Sequence, residues 1–131
     1  MDPIGLTVTA SSILFGFLFA GFWWALNREL EFPPEGRHFQ PGYLLLFLTM
    51  AVLAFFGIVR PLRAAVAKQS LPANTVLGLV TAFVGIFGYM LTVFAHYSVF
   101  QYPKYKTRLE SIVFGVFLLA LLVLFIIAVS T

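Results

Sequence analysis

Four stretches of this chain, 6–26, 42–59, 75–97 and 111–130, contain no Asp, Glu, Lys or Arg. Each approaches or exceeds the roughly 20 helical residues that cross a hydrocarbon core. An open strand in lipid leaves its amides unpaired, so such stretches fold as helices. The pattern predicts an all-α fold: a polytopic integral membrane protein with a bundle of four transmembrane helices, one membrane domain over residues 1–131. Composition agrees with this. Of 131 residues, 61% are hydrophobic and 10% charged, against about 25% charged in a soluble domain, and a core this small cannot bury so much apolar surface.

The segments between the spans are short and polar: 27–41, with its helix-breaking Pro33–Pro34 pair, then 60–74 and 98–110. The segment after span two can continue that helix for two turns. None has room for a soluble domain, so function is expected within the bilayer or at its surfaces. The start, Met1-Asp2-Pro3, lacks the basic cluster of a signal peptide, and the first run is expected to be retained as a span. Four crossings place both termini on one side. Arg28, Arg37, Lys104, Lys106 and Arg108 outnumber Arg60, Arg63 and Lys68, which orients loops 27–41 and 98–110 to the cytoplasm.

Span three carries a stripe of small residues, Gly78, Thr81, Gly85, Gly88, Thr92 and Ala95, at intervals of 3, 4, 3, 4 and 3. This spacing keeps them on one face of a helix in a left-handed supercoil. Lipid supplies no hydrophobic drive between helices, so close approach through small residues must supply the attraction. Span one offers a matching face, Ser12, Gly16 and Ala20, and is the expected partner of span three. The alternative is that the stripe faces another subunit or the flat face of a pigment or lipid. Span two offers Ala51, Ala54 and Gly57. Span four is bulky all round, the expected lipid-facing helix or one that docks onto a partner.

The absence of cysteine removes disulfides, thiolate metal sites, iron–sulfur ligation and cysteine nucleophiles. All five acids, Asp2, Glu29, Glu31, Glu35 and Glu110, fall outside the expected spans, which argues against a proton-coupled carrier or a carboxylate-based ion channel. No span has a Gly/Pro interruption of the kind that makes a carbonyl-lined filter. His96, in the last turn of span three, is the one intramembrane candidate to ligate haem iron or chlorophyll magnesium, with His38 as a second ligand from the same side; the alternative is an interfacial histidine bonded to water or a headgroup. Arg60, Arg63 and Lys68 form one basic edge, and Lys104, Lys106 and Arg108 another. Each can contact lipid phosphates or the acidic loop of a partner, and the second can pair with Glu29, Glu31 and Glu35. Net charge is +3, with the basic residues divided among the loops, so the chain is not expected to bind nucleic acid. Trp23–Trp24 is placed as an interfacial belt. The 16 phenylalanines form the kind of surface that packs on carotenoid, chlorophyll or quinone tails.

No nucleophile, base or metal constellation is present, so catalysis is not expected. The leading reading is an accessory subunit of a larger membrane complex, such as an energy-transducing one, that packs between subunits and holds lipid or cofactor. The competitors are a homo-oligomeric channel or carrier for a small neutral solute, lined by Thr9, Ser12, Thr49, Thr81 and Thr92, and a haem- or chlorophyll-binding protein acting through His96.

Overall fold

The computed structural model describes residues 2–31, 33, 41–96 and 106–130; at positions 41, 96 and 106–109 it describes the backbone alone. Helix α1 spans Pro3–Leu30. Its start follows from two residues: Pro3 fits the first helical turn, where its missing N–H costs nothing, and the Asp2 carboxylate accepts the Gly5 amide at 2.6 Å. Helix α2, Pro41–Ala54, runs directly into a π turn, Phe55–Val59, and then into α3, Arg60–Val66, forming one rod. Helices α4, Thr75–His96, and α5, Lys106–Ser130, complete the chain. Four helical segments are long and apolar enough to cross a membrane. The fold is therefore an all-α, multi-pass membrane bundle.

The π turn has a local cause. In a regular helix the ring of Pro61 presses on the carbonyl four residues back, that of Gly57, and has no N–H to offer it. Widening the turn relieves that contact, and the Arg60 amide reaches back five residues to the Phe55 carbonyl. The rod ends in a Schellman motif: Gln69 N–H donates to Ala64 O at 2.8 Å and Lys68 N–H to Ala65 O at 3.1 Å. Lys68 takes the left-handed conformation, φ 56°, that glycine usually fills in this motif.

The core is built from α2, α4 and α5. Along α2 and the π turn the chain buries Leu45, Leu46, Thr49, Leu53 and Phe56, and Phe56, Val52, Ala82 and Ala128 centre the apolar cluster. In the most apolar stretch of the second span half the residues are buried, against 11% in the fourth and 6% in the first. Helix α1 leans on α2, the π turn and α3 through Leu14, Phe15 and Leu18, while α4 packs on α2 and α5.

Two expectations are corrected here, the pairing of spans one and three and the helix ends. Span one is not the partner of span three; α2 and α5 occupy that seam because Phe56, Thr49 and Phe117 fit against its glycines. Span four packs along α4 and keeps its other bulky side chains exposed, as expected, with 11% of its apolar stretch buried; α1, at 6%, is exposed more still. The helices also outrun their apolar cores: Asn27–Leu30 belong to α1 and Lys106–Glu110 to α5. Glu110 thereby becomes a buried, partnered helical residue rather than part of a loop.

Candidate functional site

The six small residues of α4 are all buried. Gly78 lies under the ring of Phe56, Gly85 against the Thr49 hydroxyl and Leu121, and Gly88 against Phe117, at spacings that leave no room for a methyl group. The stripe thus divides between two neighbours, its Gly78 position meeting the π turn of the rod, Gly85 both α2 and α5, and Gly88 α5. At the far end Thr92 faces Gly42, which sets the start of α2 beside the end of α4. The hydroxyls in this seam are occupied within their own helices. Thr49 donates to Leu45 O at 2.6 Å, Thr81 to Leu77 O at 2.8 Å and Thr92 to Gly88 O at 2.7 Å. Thr9 and Ser12 lie instead on the exposed surface of α1. The five hydroxyl residues considered as a pore lining therefore do not share one face of the single chain.

Helix α1 touches the rod with one residue of close fit. Ser11, buried, sits where a side chain on Gly57 would be. Its neighbours Ser12, Gly16 and Ala20 turn the other way and are exposed, and nothing stands within 4 Å of a side-chain carbon built on Gly16 or Gly21. Phe17, Trp23 and Trp24 are exposed on the same helix. Between α1 and α2 runs an apolar groove of about 320 Å³ walled by Phe15, Phe19, Phe22 and Phe47, with Phe22 edge-on to Phe47 and to Tyr43.

The end of the bundle that holds the start of α1 and the end of α3 is basic. The Arg60 guanidinium lies over two rings, 5.8 Å from the Phe55 centroid and 5.9 Å from that of Phe56, a cation–π arrangement. Phe55, Phe56 and Phe125 form a tilted and edge-to-face trio with centroids 5.0 to 6.3 Å apart. Arg60 and Arg63 line a cavity of about 370 Å³ with Phe55, Val59, Gln69 and Pro72. Lys68 does not line it; its left-handed backbone turns the chain so that Gln69 does. At the same end Asn74 Nδ2 donates to Ala128 O at 2.7 Å, tying the start of α4 to the last turn of α5. Asn74 Oδ1 and Thr75 Oγ1, both buried, have no hydrogen-bond partner among the described residues.

At the opposite end Arg28 lies 5.6 Å from the Trp24 ring centroid. His38, Arg37, Glu35 and Lys104 lie outside the described residues, and for His96, Lys106 and Arg108 the helix backbone alone is described. The histidine pairing and the clasp between the first and third loops fall on those positions. Among the described residues no group of three His, Asp or Glu side chains converges as a metal site does. The π turn, the Asn74 tie and the part played by Gln69 were not anticipated from sequence. Two signals for them exist, Pro61 four residues after Gly57 and Asn74 placed just before an apolar run, where caps occur.

No protein-family model matches the chain, nor does any curated protein or any solved structure.

Proposed function

We propose that the protein is an accessory subunit of a larger membrane complex, packing between other subunits and holding lipid. One observation carries this reading: α1 is a membrane-length helix with 6% of its apolar stretch buried, and it turns a small-residue face, Ser12, Gly16 and Ala20, outward. A glycine such as Gly16 on a lipid-facing surface gains nothing and lowers helix propensity by about 1 kcal/mol. Small residues gain packing energy when another helix approaches closely. The three other spans already supply the seam for the chain's own core. The grooves beside Phe22 and Phe55 give lipid or cofactor tails an aromatic surface. In this reading both termini share one side of the membrane, and segments 27–41 and 98–110 lie in the cytoplasm.

The test is native mass spectrometry of the protein extracted from its own membranes in a mild detergent, comparing wild type with Gly16→Leu. Co-extraction with other subunits, lost in Gly16→Leu while the isolated variant still folds, is the expected result. A wild-type preparation that is stable and free of other subunits, whether monomer or homo-oligomer, refutes the reading.

A further inference from the structure

The arginine cavity and the groove beside it have complementary chemistry and share a wall. Phe55 lines both the cavity of Arg60 and Arg63 and an apolar groove of about 390 Å³ between α2 and α5, bounded by Leu48, Ala51, Leu122 and Phe125. Phe55 therefore forms a wall common to a pair of guanidinium groups and to a purely aliphatic and aromatic groove. The depth is appropriate. Arg60 lies 18 residues along the rod from Gly42, a rise of about 27 Å, so it stands at the headgroup level when Gly42 stands at the opposite interface. The groove, from Phe55 to Leu48, lies about 7 to 18 Å inward from that level.

The arginines are poised for an anion. No ion pair joins Arg60 or Arg63 to a carboxylate among the described residues, and the one acid described at this end, Asp2, caps α1. The cation–π contacts with Phe55 and Phe56 hold Arg60 at the cavity without using its N–H groups, and a guanidinium offers a planar fork that matches phosphate oxygens. The π turn contributes register. Inserting an extra residue into the turn rotates α3 relative to α2, and in this register the arginines share with Phe55 the cavity next to the groove.

We propose that this joined site binds one anionic phospholipid, its phosphate held by Arg60 and Arg63 and one acyl chain lying in the α2–α5 groove. The inference makes the lipid-holding part of the proposed function specific. It concerns the isolated chain and stands or falls separately from docking through α1.

The experiment uses the full chain, purified in mild detergent, stripped of lipid and titrated by native mass spectrometry with phosphatidylglycerol or phosphatidylcholine of the same acyl chains. Wild type is expected to retain one phosphatidylglycerol at least about tenfold more tightly than phosphatidylcholine. Arg60→Gln/Arg63→Gln is expected to weaken phosphatidylglycerol about thirtyfold, each cation near the surface contributing about fivefold. Arg28→Gln, at the other end, is expected to leave retention unchanged. Leu122→Trp fills the groove at a surface-exposed position and is expected to lower retention with both arginines intact, which keeps the test decisive if the double variant fails to fold. Equal retention of the two lipids, or unchanged retention in Leu122→Trp, overturns the proposal. Displacement of the lipid by millimolar inorganic phosphate overturns it too, because the site then recognises the ion and not the amphiphile.

Discussion

Adding one methyl group to a glycine should have opposite effects on α4 and on α1. At Gly85 the new carbon meets the Thr49 hydroxyl and lies 3.1 Å from Thr49 Cβ and 3.2 Å from Leu121 Cδ1. Two of these neighbours are near the backbone or held in place, because the Thr49 hydroxyl is bonded to Leu45 O. Thr49 must rotate and give up that bond, worth about 0.6 kcal/mol on average in a membrane protein, and the helices must still yield at Thr49 Cβ and Leu121 Cδ1, an overpacking cost of about 1–3 kcal/mol. The gain in helix propensity from Gly to Ala, about 1 kcal/mol, offsets part of this. Gly85→Ala is thus expected to lose about 1–2 kcal/mol. Gly16→Ala, with nothing within 4 Å, keeps the propensity gain and is expected to be stabilised by up to about 1 kcal/mol. Reversible SDS titration of the folded protein in mixed micelles, followed by far-UV circular dichroism, measures both. Thr49→Ala removes the oxygen in question, so Gly85→Ala combined with Thr49→Ala should recover about 1 kcal/mol relative to the sum of the single changes. A Gly85→Ala protein as stable as wild type, or equal shifts for the two alanine variants, refutes the seam described here.

Phe56→Ala removes the fully buried ring that covers Gly78 and carries Arg60, and should cost about 3–5 kcal/mol in the same titration; a loss below 1 kcal/mol contradicts its place at the core. Asn74→Leu cuts the tie to Ala128. It should cost about 1 kcal/mol, with faster hydrogen exchange confined to the last turn of α5, and unchanged exchange there counts against the tie. Lys68→Gly relieves a left-handed non-glycine residue and should stabilise the chain by about 1 kcal/mol, whereas a loss of stability shows that the lysine side chain contributes more than its backbone strain costs. Pro61→Ala restores an N–H opposite Gly57 and should let the π turn relax to regular helix, turning the arginines away from the groove. Phosphatidylglycerol retention is the readout, and its persistence in that variant disproves the role given to the turn.

The number of spans, their helical nature and the face of α4 that is buried were all legible in the sequence. Charge-free length and the lipid solvent leave a chain no alternative to helices, and a glycine–threonine register along Gly78 to Ala95 has value where another helix lies close. The same register does not name the neighbour. Small residues on α1 and on α2 match it equally well as letters, and the choice depended on where bulky groups could be received: Phe56 over Gly78, Phe117 against Gly88, Thr49 beside Gly85. Those contacts join residues far apart in sequence, so no local pattern encodes them. Helix ends behaved similarly. Apolarity marked the lipid-facing cores but missed polar turns such as Lys106–Glu110, which continue as helix because backbone hydrogen bonding does not stop where lipid does. The basic edge at Arg60 and Arg63 was visible from residue types alone. Its conversion into a cavity that shares the Phe55 wall with an apolar groove needed the π turn and the fold-back that brings Gln69 and Pro72 alongside. That assembly is a property of the packed rod and of α5 beside it, which only the tertiary structure could decide.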